Sequence, residues 1–236
     1  GFDRGLQRNT QGSAGYEWEV GDRAILSQEV YVGRLSNLQD YEIQDDGDRQ
    51  NELEDLLITL DGWTYGLESM IRLAPGGRAF GWAAYTLSRS VRDYPVTGLA
   101  ASSWDQRHIL NLVLGYKINR NWRVGGRLHF NSGRPYTSRR VQANGQLEPI
   151  ENAIREHRND SNLPPFLQFD IRVERLFYFR LWSLSAYLDV ANSTFAREVF
   201  ACSAGDDDGG TAQVGCEHES TGFRYVLPAL GLRARF

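Results

Sequence analysis

The sequence contains no apolar run near the ~18 residues that a membrane-spanning helix needs, so spanning by helices is excluded. It has only two cysteines, Cys202 and Cys216, too few for a fold held together mainly by disulfides. Its four histidines are scattered and offer no metal-ligand spacing, so neither a metal nor any other cofactor is expected. Positive charge is not in excess. The formal net charge is -4, which gives no general case for a nucleic-acid partner. The opening Gly1-Phe-Asp-Arg lacks the basic and apolar regions of a secretory leader, so the chain reads as a mature product, a fragment or part of something longer. A mean hydropathy of -0.47 classes the protein as soluble. That classification fails for one architecture, a barrel whose strands turn every second residue toward a polar interior.

Aromatic residues reach 12%, with six Trp and eleven Tyr, beside 24 Gly. This composition suits sheets with aromatic belts and tight turns. The last fifteen residues show the pattern best. Val226, Pro228, Leu230, Leu232, Ala234 and Phe236 share one side of a strand, and Tyr225, Leu227, Ala229, Gly231, Arg233 and Arg235 share the other. One face is apolar, and the other is small and then cationic. The strand ends on an aromatic residue, whereas domain ends are more often polar and frayed.

The same alternation recurs along the chain. Ala14, Tyr16, Trp18 and Val20 oppose Gly15, Glu17 and Glu19. A return strand over 23–34 follows, its alternation spoiled by Gln28 between Leu26 and Val30. Trp63, Tyr65, Leu67, Ser69, Ile71 and Leu73 form a further row, then a turn at Pro75-Gly76-Gly77 and a Gly/Ala/aromatic strand over 78–92 whose pattern leaves its facing open, Ala83, Tyr85 and Leu87 being one candidate outward row. The clearest hairpin sets Leu110, Leu112, Leu114, Tyr116 and Ile118 beside Trp122, Val124, Gly126, Leu128 and Phe130, across a turn at 119–121. Leu167, Phe169, Ile171 and Val173, then Trp182, Leu184, Ala186, Leu188 and Val190, complete the set before the final strand.

The expected fold class is therefore all-β, an antiparallel transmembrane β-barrel segment of about nine strands in one domain over 1–236. Short turns at 21–22, 75–77, 119–121 and 178–180 alternate with long loops at 36–55, 93–103, 137–163 and 193–220. That asymmetry matches short periplasmic turns and long extracellular loops. The inward row carries charges of both signs, among them Glu17, Glu68, Arg72, Lys117, Arg123, Arg127, Asp170, Arg172, Glu174 and Asp189. A wet lumen tolerates these, whereas a dry core penalises each unpaired one by several kcal/mol. A soluble barrel with the polar face outward gives the same alternation.

Three segments invite a chemical reading. Cys202 and Cys216 bracket a Gly/Asp-rich loop of about 15 residues; a disulfide there is expected to stabilise by about 3 kcal/mol. The acidic loop 36–55 departs from the EF-hand pattern, so a solvated loop is expected rather than a cation site. Ser103, Asp105 and His108 lie close together in sequence, but no nucleophile motif surrounds them, so no enzymatic activity and no catalytic residues are expected.

Four stretches carry a likeness: Ser103-Trp-Asp-Gln-Arg-His-Ile-Leu-Asn111, Asn131-Ser-Gly-Arg-Pro-Tyr-Thr137, Leu163-Pro-Pro-Phe-Leu-Gln-Phe-Asp-Ile-Arg172 and Leu188-Asp-Val-Ala-Asn192. With the ending Leu227-Pro-Ala-Leu-Gly-Leu-Arg-Ala-Arg-Phe236, they resemble the C-terminal part of the barrel of TonB-dependent outer-membrane receptors. The resemblance implies a larger barrel, of 22 strands, plugged by an N-terminal domain and importing siderophore–iron, cobalamin or glycan-like ligands. It implies as partners the lipid bilayer, the remaining strands and plug (in this polypeptide or another chain), TonB acting through that plug, and the outer-membrane assembly machinery, which would read Phe236. Neither a plug nor a TonB box is present in these 236 residues. The ligand-binding residues stay unassigned, and the alternative is a structural barrel subunit that transports nothing. An odd count near nine further implies that this chain does not close a barrel alone.

Overall fold

The structure, a computed structural model, describes residues 5–41, 57–140, 142–144, 146, 148–200, 203–206, 212–215 and 224–236. It contains β1 (Arg8–Val20), β2 (Ala24–Tyr41), β3 (Leu57–Leu73), β4 (Ala79–Tyr94), β5 (Gly98–Ala101), β6 (His108–Lys117), β7 (Trp122–Asn131) and β8 (Pro135–Tyr136). These are followed by α1 (Ile150–His157), β9 (Ser161–Asn162), β10 (Phe166–Tyr178), β11 (Ser183–Ala191), β12 (Ser203–Asp206), β13 (Ala212–Gly215) and β14 (Leu227–Arg235). One ten-stranded sheet dominates. Its path runs β1-β2-β3-β4-β6-β7-β10-β11-β14, with β5 paired to β4 off that path. Every pairing along the path is antiparallel. Strands β1 and β14 are its two edges, and they do not pair with each other.

The register makes the sheet two-faced. Val20, Ala24, Leu73, Gly81, Leu114, Gly126, Ile171, Val190 and Pro228 form one unbroken line of partners across the path. Side chains alternate, so this line assigns every second residue of each strand to the same apolar face, as far as a bulge late in β2. The rows expected from Tyr16 to Leu232 all fall on it. Glu17, Glu68, Arg72, Lys117, Arg123, Arg127, Asp170, Arg172, Glu174, Asp189, Arg233 and Arg235 fall on the opposite face. Trp82, opposite Arg72, is an aromatic exception on the polar face.

Neither face is covered by a second layer. No large side chain is fully buried among the described residues. On the apolar face Trp18 is 62% exposed and Leu230 85%. The buried residues Leu60, Val91, Tyr94, Ala101, Leu163 and Phe166 gather at the long-loop end, with Ala153 of α1 wholly enclosed.

Several expected boundaries need correction. β2 runs on to Tyr41, into the expected loop 36–55, and β3 begins at Leu57, before the expected row from Trp63. The pairing slips between Leu35 and Leu38 at a bulge where Asn37 adopts φ 58, a left-handed value that Asn tolerates. The expected loop 137–163 contains α1 and β9, which pairs with β8 just before it. The 93–103 loop contains β5, and 193–220 contains the β12–β13 hairpin. The last strand begins at Leu227 rather than 222. Most of the acidic residues of 36–55, and both Cys202 and Cys216, lie outside the described residues.

The short turns lie together at one end and are tied to one another. Arg23 donates from Nη2 to the carbonyls of Ala74 (2.7 Å) and Ala79 (2.6 Å), clamping the first turn to the second. Its guanidinium lies against Gly77, where any side chain would collide with it.

Candidate functional site

The polar face between β4 and β11 frames a concavity of about 640 Å3. An ionic ladder crosses it. Arg127 donates from Nε and Nη2 to Asp170 Oδ2, both at 2.8 Å. The other oxygen of Asp170 accepts from Gln168 Nε2 (2.7 Å) and from the backbone N–H of Asn192 (2.8 Å). Arg172 pairs with Asp189 at 3.0 Å and lies 3.9 Å from the Tyr187 ring centroid, while Arg123 approaches Glu174 at 3.8 Å. These are cross-strand pairs set by the register: Asp170 faces Arg127, Glu174 faces Arg123 and Asp189 faces Arg172. Charge-assisted pairs of this kind hold water and polar solutes and are incompatible with a dry core unless every partner is satisfied.

The face is electrically divided. On β1–β3 it carries Glu17, Glu19, Glu29 and Glu68 against Arg72, and Glu17, Glu29 and Glu68 line a second concavity of about 530 Å3. On β6–β14 it carries Lys117, Arg123, Arg127, Arg172, Arg233 and Arg235 against Asp170, Glu174 and Asp189.

Backbone flatness supports this face. The rings of Tyr31, Phe80 and Tyr187 lie over their register partners Gly66, Gly115 and Gly231, and Phe169 lies over Gly126 on the apolar face. Glycine removes the side chain that the ring replaces, so ring and backbone pack in one layer.

At the long-loop end the stretches 103–111, 131–137, 163–172 and 188–192 interlock. Asp105, 3% exposed, accepts from Arg89 Nη1 (2.8 Å) and Ser90 N–H (2.6 Å). His108 and Ser132 exchange two hydrogen bonds, N–H to Oγ and N–H to carbonyl. Arg134 stacks 4.8 Å from the Trp104 ring, and its carbonyl accepts from Leu163 N–H. Asn192 binds Asp170 and, through Nδ2, the carbonyls of Ala196 and Tyr225.

Ser103, Asp105 and His108 are not assembled as a nucleophilic triad. Ser103 Oγ accepts from Asn159, both Asp105 oxygens are engaged by Arg89 and Ser90, and His108 Nδ1 meets Tyr85 OH at 2.8 Å. Phe236 follows β14, fully exposed, its ring 6.2 Å from that of Trp182, which stacks at 4.2 Å on Phe179. Sequence reading missed one group. Glu148, Glu156 and His157 bring one ligand atom each within 4.8 Å of one another, because α1 folds back on the preceding loop. His157 Nε2 contacts the Ser138 carbonyl (3.0 Å) and Glu148 Oε2 (3.3 Å). Three ligands are one short of a structural zinc site. The signal was the apolar-to-His spacing Ile150, Ala153, Ile154, His157, a helical face inside a polar loop.

No family model, curated protein or solved structure matches the chain.

Proposed function

We propose that the chain is part of the wall of an outer-membrane β-barrel, the C-terminal portion of a TonB-dependent receptor that imports a nutrient ligand. One observation carries the membrane part of this reading. A single-layer sheet exposes an apolar face along its path and keeps the ion pairs Arg123–Glu174, Arg127–Asp170 and Arg172–Asp189 on the other. A soluble domain buries such a face against a second layer. Lipid serves here, because acyl chains meet the apolar side while water fills the polar one. The aromatic residues Tyr116, Trp122, Phe179 and Trp182 at the short-turn end fit an interfacial belt.

The receptor part is supported by the four interlocking stretches, which carry the resemblance and meet at the long-loop end. A ligand captured there would enter past Arg134 and meet the ionic ladder on the polar face. The ladder's mixed signs leave the ligand's chemistry open, and a structural barrel subunit shares the same wall.

Brominated acyl chains test the facing. The full chain is folded into vesicles of such lipids, and single-Trp variants are compared. Trp18, Trp63 and Trp122 fluorescence should be quenched, and Trp82 should be quenched by aqueous acrylamide instead. Water-accessible Trp18 and Trp122 with lipid-shielded Trp82 would overturn the reading.

A further inference from the structure

A groove of about 780 Å3 runs along the apolar face where β10, β11 and β14 adjoin, lined by Val173, Ala186, Leu188, Leu230 and Leu232. Trp122 and Arg175, register partners on β7 and β10, also line it, on the short-turn side. Arg175 is out of place by charge. Its row neighbours Val173 and Phe177 are apolar, as is its other register partner, Ala186. The guanidinium lies 5.3 Å from the Trp122 ring and 4.8 Å from that of Phe177. No carboxylate among the described residues lies within ion-pair distance of it. Cation–π contacts stabilise a guanidinium on an aromatic belt but leave its outer N–H groups free to donate.

The surroundings add charge of the same sign. Arg120 and Arg180 sit exposed in the two neighbouring turns, which are joined by Tyr178 OH donating to the Arg120 carbonyl at 3.2 Å. The acid of this rim, Glu174, belongs to the opposite face, where it approaches Arg123. By contrast, two cations at the long-loop end have acid partners, Arg34 with Asp61 and Arg89 with Asp105. An apolar groove with uncompensated cations at its aromatic end matches a molecule with an apolar chain and an anionic head.

We propose that this groove is a binding site for an anionic phospholipid, one acyl chain lying along Leu188, Leu230 and Leu232 and the phosphate accepting from Arg175. Arg120 and Arg180 favour a head group of net negative charge. The site rests on the reading that the apolar face meets lipid.

The test folds the full chain into vesicles of equal phosphatidylglycerol and phosphatidylcholine, extracts it into mild detergent and counts the retained lipid by native mass spectrometry. Wild type should retain phosphatidylglycerol preferentially. Arg175→Gln should lower that preference about five-fold, the worth of one basic side chain at an anionic surface. Arg175→Lys should keep most of it, and Arg78→Gln, in a different turn, should leave it unchanged. Equal retention of both lipids, or a preference that survives Arg175→Gln, would overturn the site while leaving the membrane reading standing. A chain that stays in water with either lipid would overturn both.

Discussion

Tyr187 shows how single residues hold the polar face in order. Its ring lies flat on Gly231 of the edge strand, and the Arg172 guanidinium stacks at 3.9 Å on that ring while pairing with Asp189. Three strands are joined by one ring: β10 through Arg172, β11 through Tyr187 itself and β14 through Gly231. A side chain at 231 would occupy the space of the ring's far edge. Overpacking of this kind costs about 1–3 kcal/mol. Gly231→Val is therefore expected to destabilise the folded chain by that amount in denaturant unfolding. In a Tyr187→Ala background the same substitution should be nearly neutral, because the ring it displaces is gone. Equal costs in both backgrounds would show that the ring does not lie where the structure places it.

At the scale of elements, the hairpin β6–β7 is the best test of facing. Leu112 pairs with Leu128 on the apolar face, and its neighbour Val113 pairs with Arg127 on the polar face. A lysine on a lipid-facing strand position costs about 2–4 kcal/mol at the bilayer midplane. Leu112→Lys should then be costly in vesicle-folded protein and Val113→Lys nearly free. The reverse order would mean a register slipped by one residue. This hairpin was legible in the sequence because its alternation is unbroken and a polar turn divides it. β2 was only half legible. Gln28 lies on the apolar face between Tyr16 and Ser69, with Tyr16 OH donating to its Oε1, so the pattern breaks where a polar group is locally satisfied. Beyond Arg34 the bulge at Asn37 changes the parity, and period-two counting ends there although the strand runs on to Tyr41. The helix α1 and the enclosed Asp105 were not legible. Their partners, Ser138 and Glu148 for His157 of the one and Arg89 and Ser90 for the other, come from separate segments that only the fold brings together.

For the whole molecule, the decisive feature is the direction of the two edges. Eight antiparallel pairings separate β1 from β14, so the two edge strands run in the same direction. Closing the sheet on itself would require one parallel pair in an otherwise antiparallel wall, a slightly weaker ladder. An unpaired edge in hydrocarbon leaves a row of N–H and C=O groups without partners, each costing several kcal/mol. An odd number of further strands, supplied by this polypeptide or another, satisfies both edges with antiparallel pairs. The acidic polar face of β1 and the cationic polar face of β14 also differ in what they would accept beside them, Glu17 and Glu19 at one edge and Arg233 and Arg235 at the other. Folded alone into vesicles, residues 1–236 are thus expected to run on unheated gels as higher-order species and not as a compact monomer that slows on boiling. Chemical cross-linking should join copies through cysteines placed in β1 or β14 and not through cysteines placed in β6 or β7. A compact, heat-modifiable monomer, with an intramolecular cross-link between β1 and β14, would show that the chain closes unaided through the parallel seam.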